Sequence, residues 1–188
     1  MERKDLEMKL AERIKPSRYE HSIAVSKMAV ELAKQFNVSP DKAYLAGLLH
    51  DCGRAFGTSE LVGIARTRGI CVSKIEEATP LLLHAYIGAD ILPEVYGIKD
   101  PDVQQAIWRH TVGGLEMTTL DKIIYLADMI EPNRKYAGAG DLRQLVSHGK
   151  LDDAMLLAFD QSISFVLARG KLIHPYTVDA RNEILLRK

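Results

Sequence analysis

Proline marks where this chain begins its helices, and that placement leaves little room for other secondary structure. Ser39-Pro40, Thr79-Pro80 and Asp100-Pro101 each set a cap residue before a proline. At the first helical position a proline loses nothing, because its missing N–H has no intrahelical partner there. Ser17 and Glu20 stand at capping-box spacing ahead of the periodic stretch His21, Val25, Met28, Leu32. Thr118 with Asp121 predicts another start, for a helix through LDKIIYLADMI that stops near Pro132. A long helix is expected from Leu151 to Ala168, ending at Gly170, and a last one after Thr177. No stretch alternates apolar and polar residues over six positions between turn pairs, and aromatic residues are only 6% of the chain, low for a sheet protein. The expected fold is all-α, a single domain over residues 1–188 with about seven to nine helices and with Asn133 to Gly140 as the loosest surface loop.

Within that helical frame, ionisable groups stand where the pattern demands core. His21 lies in line with Val25, Met28 and Leu32; His84 shares a stripe with Ile87, Gly88 and Ile91; His110 ends the stripe of Val103 and Ile107. Asp128 interrupts the apolar run IIYLADMI, and His50-Asp51 closes the apolar helix KAYLAGLLHD just before Cys52-Gly53. A buried imidazole or carboxylate without a partner costs several kcal/mol, so each must be paired, protonated or bound to metal. Taken singly, the plain reading is a satisfied core histidine or a helix-terminal aspartate. Taken together, four of the six histidines and two aspartates fall at the inner faces of five helices. Imidazole and carboxylate without thiolate suit iron, manganese, cobalt, nickel or zinc rather than calcium. Six protein ligands exceed what one metal with an open position takes, so two metals sharing a carboxylate is the economical arrangement.

Charge narrows the partners. Lys plus Arg number 25 and Asp plus Glu number 25, without the basic surplus a general nucleic-acid binder needs. No apolar run nears the roughly 20 residues that span a bilayer, and MERKDLEMKLAERIK lacks a signal-peptide core. Cys52 and Cys71 make neither a disulfide framework nor a four-thiolate zinc site. The expectation is a cytoplasmic protein that engages neither nucleic acid nor membrane, with an α-helical stripe between Leu151 and Leu167 open to a homodimer.

The order His21, His50-Asp51, His84, His110, Asp128 resembles the HD superfamily of metal-dependent phosphohydrolases, whose basic set matches His21, His50-Asp51 and Asp128. The two further histidines resemble the subset that holds a two-metal centre. Nearly the whole chain is similar to the bacterial YqeK family, through SRYEHSIAV, LAGLLHDCGR, PLLLHAYIGA, IWRHTVGG, LDKIIYLADMIEPNR and HPYTVDARNEILL. The resemblance implies an HD-domain helical bundle around a dinuclear centre, with iron foremost among the metals. It also implies symmetrical cleavage of diadenosine tetraphosphate into two ADP. Family members often carry Thr and Arg where this chain has Val112 and Gly114, a departure that bears on substrate preference if those positions meet phosphate.

On this reading His21, His50, Asp51 and Asp128 hold one metal, and His84, His110 and a shared Asp51 oxygen the other. A hydroxide between the metals would attack phosphorus, with Asp51 and Arg54 as the catalytic residues. Four linked phosphates call for cations, and Arg18, Arg54, Arg109 and Arg134, with Thr111 as a hydroxyl donor, are the expected substrate contacts. The duller reading is a solvated arginine for each, and a helix cap for Thr111. Tyr86, Trp108, Tyr136 and Phe56 are the aromatics open to base stacking, against the more usual core role. His148 and His174 lie outside the ligand pattern, and Cys52 reads as a small loop residue. Two alternatives stand beside the main one: a one-metal nucleotidase acting on mononucleotides, and a binding module that senses a nucleotide.

Overall fold

The computed structural model describes residues 2–188. Among them there are eleven α-helices and no strand: α1 Arg3–Ala11, α2 Pro16–Gln35, α3 Pro40–Leu49, α4 Leu61–Thr67, α5 Lys74–Ala78, α6 Leu83–Ile91, α7 Pro101–Arg109, α8 Thr119–Ile130, α9 Ala139–Ser147, α10 Leu151–Ala168 and α11 Pro175–Leu186. The all-α expectation holds. The number of helices is higher than expected because α1, α4, α5 and α9, all of nine residues or fewer, are too short to carry a clear apolar period. Ser39, Asp100 and Thr118 cap as their sequence predicts, each accepting from backbone N–H groups of the first turn. Ser17 does not start α2. Pro16 takes the first position and extended Lys15 precedes it. Thr79-Pro80 opens a short 3-10 turn, Pro80–Leu82, that leads into α6. The last helix begins two residues before Thr177, where His174 accepts from the Tyr176 N–H ahead of Pro175. The loop after α8 ends sooner than expected, since Ala139 and Gly140 already belong to α9.

The framework for the site is the group α2, α3, α6, α7 and α8. Helix α2 packs along α3 and α8, and α7 meets α3, α6 and α8. The α2–α3 approach needs a glycine: a Cβ on Gly47 would lie 2.8 Å from the Ser26 Cα. A closer approach follows Asp51. There a 3-10 turn, Cys52–Ala55, runs against α6, and a Cβ on Gly53 would sit 2.1 Å from the His84 carbonyl oxygen. One apolar cluster, from Leu6 through Leu48, Leu83, Ile107, Ile124 and Phe159 to Ile184, joins the ends of the chain. Phe165 and Leu167 on α10 are exposed, as the expected stripe requires. No helix is long and apolar enough to cross a membrane among the described residues.

Candidate metal centre

Helix ends deliver most of the polar cluster. His50 is the residue just past α3, His110 the residue just past α7, and His84 the second residue of α6. Each turns its Nδ1 back to a carbonyl three residues earlier: His50 to Gly47 at 2.8 Å, His84 to Leu81 at 2.5 Å, His110 to Ile107 at 2.6 Å. A carbonyl only accepts, so Nδ1 carries the hydrogen and Nε2 presents a lone pair inward. His21 sits inside α2, where backbone carbonyls are committed to the helix. Its Nδ1 meets the Glu131 carboxylate at 3.2 Å, and its Nε2 faces Asp128 at 2.9 Å.

All four imidazoles therefore converge through Nε2 on two carboxylates. His84 Nε2 is 3.1 Å from His110 Nε2 and 3.1 Å from Asp51 Oδ1. His50 Nε2 is fully buried without a hydrogen-bond partner, 3.8 Å from Asp51 and 3.9 Å from Asp128. Three overlapping groups have their donor atoms within 4.8 Å of one another: His21, His50 and Asp51; His50, His110 and Asp128; Asp51, His84 and His110. Lone pairs and carboxylate oxygens that face each other this closely repel unless a cation lies between them, and the orphaned His50 nitrogen has no protein donor to satisfy it. Nitrogen and oxygen donors without thiolate fit a borderline divalent metal. The six residues picked from sequence are brought together, and they fit a metal site.

Electrostatics agree with the donor set. Burial, reinforced by the neighbouring imidazoles, drives His110 down to about 3, and burial likewise lowers His50, so both imidazoles are neutral. Burial alone would raise Asp51, yet His50, His84 and Arg54 hold it well below the usual carboxylate range. Asp128 is lowered in the same way against its burial, mainly by His21. For His21 burial pulls down, but the Asp128 bond outweighs it and its value is raised. Burial pushes the Cys52 thiol up to about 12; it is a packed small residue, as expected.

Three of the four expected arginines ring the centre. Arg18 reaches Asp51 Oδ2 at 3.0 Å, Arg54 reaches Asp51 Oδ1 at 3.0 Å, and Arg134 reaches Asp128 Oδ1 at 2.6 Å. Their side chains keep 41%, 22% and 38% of their surface open, so cationic groups face solvent beside the carboxylates. Arg109 does not join them. Its guanidinium donates to the buried Asp121 carboxylate at 2.9 Å and to the Glu116 carbonyl. It lines a groove of about 580 Å³ with Gln104, Trp108 and Tyr176 that includes none of the six ligands. Thr111 Oγ1 lies 3.2 Å from His110 Nε2. Tyr86 is buried and stacked on Trp108, 4.4 Å between ring centres, which is a core role; Tyr136 is the exposed one of the four aromatics. Val112 is buried, its carbonyl accepting from Thr177, and Gly114 lies beside Arg109. His148 is exposed, whereas His174 is buried against Glu76 at 2.8 Å. Glu131, 2% exposed, escaped the sequence reading. No local pattern marks it, because it lies past the end of α8 with extended backbone and meets His21 only through the turn.

Comparison with known proteins follows the same outline. The HD domain model matches residues 18–133, an interval that contains all six residues of the cluster. The symmetrical bis(5'-nucleosyl)-tetraphosphatase of Halalkalibacterium halodurans is 36% identical over 171 residues, covering 91% of this chain and 90% of that protein. The chain belongs to the HD-domain family, in its YqeK branch. The Bacillus subtilis symmetrical bis(5'-nucleosyl)-tetraphosphatase is 32% identical over 85% of each chain. A Clostridium acetobutylicum crystal structure, described as a predicted HD superfamily hydrolase involved in NAD metabolism, superposes with a TM-score of 0.96. It is 36% identical to this HD-domain chain and covers 100% of it and 99% of its own length. The resemblance drawn from the motifs and the convergence of the ligands thus meet in one family.

Proposed function

We propose that this chain, acting over its whole length as one HD-type domain, hydrolyses dinucleoside tetraphosphates symmetrically, releasing two nucleoside diphosphates. The observation that carries the reading is the convergence of His21, His50, Asp51, His84, His110 and Asp128, flanked by open arginines. Relatives whose names state that activity, at 30–36% identity over most of the chain, support it. His21, His50, Asp51 and Asp128 would hold one metal, and Asp51, His84 and His110 a second. Iron is the metal we favour, and manganese, cobalt, nickel and zinc suit the same donors. Bound divalent cations neutralise phosphoryl charge and bring the pKa of water towards 7. Arg18, Arg54 and Arg134 clamp the phosphate chain with directed N–H groups, which suits bidentate phosphate recognition. Asp51, reached by imidazoles on one side and by arginines on the other, sets the spacing between the ligand set and the clamp. Thr111 donates its hydroxyl beside His110.

The test is to incubate metal-loaded protein with diadenosine tetraphosphate and separate the products. Two ADP are expected. ATP plus AMP rejects symmetrical cleavage, and no turnover beside rapid phosphate release from a mononucleotide favours the one-metal nucleotidase. Asp51→Ala should lose both metal and turnover; a folded, metal-loaded and active variant refutes the assignment. We place the enzyme in the cytoplasm, and sedimentation of the same preparation reads out whether the α10 face pairs two copies.

A further inference from the structure

His21 differs from the other three imidazoles in what holds it. The others are oriented by backbone carbonyls three residues behind them, while His21, in the second turn of α2, is oriented by a side chain, Glu131. Glu131 is the residue just past α8, with extended backbone at φ −53° and ψ 155°. Both its carboxylate oxygens are used: Oε1 faces His21 Nδ1, and Oε2 accepts the Asn133 N–H at 2.7 Å. A turn past a helix end is poorly determined by itself, since the last carbonyls of a helix have no intrahelical partners. Here one guanidinium from α9 takes two carbonyls at the helix end and a third further along the turn. Arg143 donates from Nε to the Ile130 carbonyl at 2.9 Å, and from Nη2 to the carbonyls of Glu131 at 2.9 Å and Arg134 at 2.8 Å. Nothing but a planar fork with several donors spans such a set, which a lysine ammonium at one point does not. The pinned turn also carries Arg134, whose Nη2 lies 2.6 Å from Asp128 and 3.4 Å from His21 Nε2.

We infer that Glu131, held in place by Arg143, is a positioning residue that fixes the tautomer and ring orientation of His21 for one of the two metals. It rests on the metal-binding part of the proposed function. A carboxylate on the far nitrogen of a ligating imidazole orients the ring and raises its basicity, and losing such a partner costs about 10–100-fold in metal affinity. His21 serves only the set with His50, Asp51 and Asp128, so the loss falls on that metal and spares the one held by Asp51, His84 and His110. Arg143 touches none of the six ligands, and its effect reaches His21 through the turn.

The experiment titrates manganese into chelator-stripped full chain, comparing wild type with Glu131→Gln, Arg143→Lys and Arg143→Ala. Glu131→Gln keeps shape and volume and removes the charge. Expected are two binding events in the wild type, with one weakened about 10–100-fold in Glu131→Gln, the other unchanged, and a similar one-sided loss in both Arg143 variants. Equal weakening of both events, or wild-type affinity at both, overturns the inference. A wild type that binds no metal overturns the proposed function itself, which separates the two failures. A second measurement needs no folded variant of Glu131. In 15N-histidine spectra of the zinc-loaded wild type, with His21→Gln for assignment, His21 should carry its hydrogen on Nδ1 and its metal on Nε2; the reverse arrangement rejects the positioning role.

Discussion

Adding one methyl group at position 53 should disturb the centre more than many larger changes elsewhere. Gly53 follows Asp51 by two residues, and its α-carbon lies against α6, which carries His84. A Cβ there would meet the His84 carbonyl oxygen at 2.1 Å, its carbon at 2.9 Å and the Gly88 nitrogen at 3.0 Å. Real Cβ contacts essentially never fall below 3.0 Å, so the gap must open by at least 0.9 Å. All three obstructing atoms are backbone, and no rotamer change relieves them. Overpacking of this kind costs about 1–3 kcal/mol and sometimes more; at roughly 2–4 °C per kcal/mol for a chain of this size, Gly53→Ala should melt about 6–12 °C lower if the cost reaches 3 kcal/mol. The same displacement separates Asp51 Oδ1 from His84 Nε2, now 3.1 Å apart, so the metal set of Asp51, His84 and His110 should weaken as well. The assay is thermal melting in chelator followed by manganese titration. Gly63→Ala is the control, for a Cβ on Gly63 in α4 meets nothing within 4 Å. That variant should gain roughly 0.5–1 kcal/mol from lost backbone freedom. Should Gly53→Ala melt within about 2 °C of wild type and bind manganese normally, the argument that this contact sets the spacing of Asp51 and His84 is wrong.

Two further predictions concern pH and the C-terminal helix. His50 and His110 are held below the ordinary imidazole value by burial, His110 at about 3, so below pH 6.5 the unfolded chain takes up protons that the folded one excludes. Stability of the chelated protein should therefore fall as pH drops from 6.5, by up to about 2.7 kcal/mol per unit for the two groups. Depressed Asp51 and Asp128 steepen the loss below about pH 4, whereas raised His21 changes stability only above 6.5. Urea denaturation at pH 7, 6 and 5 checks this, and a flat or rising profile rejects it. Thr177→Val removes the buried hydroxyl that donates to the Val112 carbonyl at 2.9 Å, leaving an acceptor unpaired at about 1–3 kcal/mol. Its melting point should fall by roughly 2–12 °C while Thr177→Ser stays near wild type; equal melting of all three proteins dismisses the bond.

What the sequence displays best is what is decided locally. Ser39-Pro40, Asp100-Pro101 and the Thr118–Asp121 box each act within one turn, and each starts its helix as expected. The span Leu151–Ala168 matches to the residue because its apolar period is long. Ser17 misled because Pro16, one residue earlier, takes the first helical position with its fixed φ. At His174-Pro175 the pattern was present, but the cap is an imidazole nitrogen rather than one of the usual oxygen acceptors. The six clustered residues were legible as polar residues on apolar stripes, an argument from desolvation that needs no tertiary structure. Arg109 was not, since its neighbourhood to His110 in sequence says nothing of Asp121, twelve residues on, which claims its guanidinium. Glu131 and Arg143 depend on how a turn folds back on α2 and α9, and no local pattern reports that.

Three of the clustered imidazoles take their pose from peptide oxygens three residues behind them in the chain. A peptide oxygen is present whatever amino acid occupies the position. Residues around those histidines can accordingly drift through evolution, altering the mouth of the cleft and whatever it admits, without retuning how the nitrogens are aimed. His21 has no such insurance, and its fidelity is inherited through a carboxylate that a single codon change can remove.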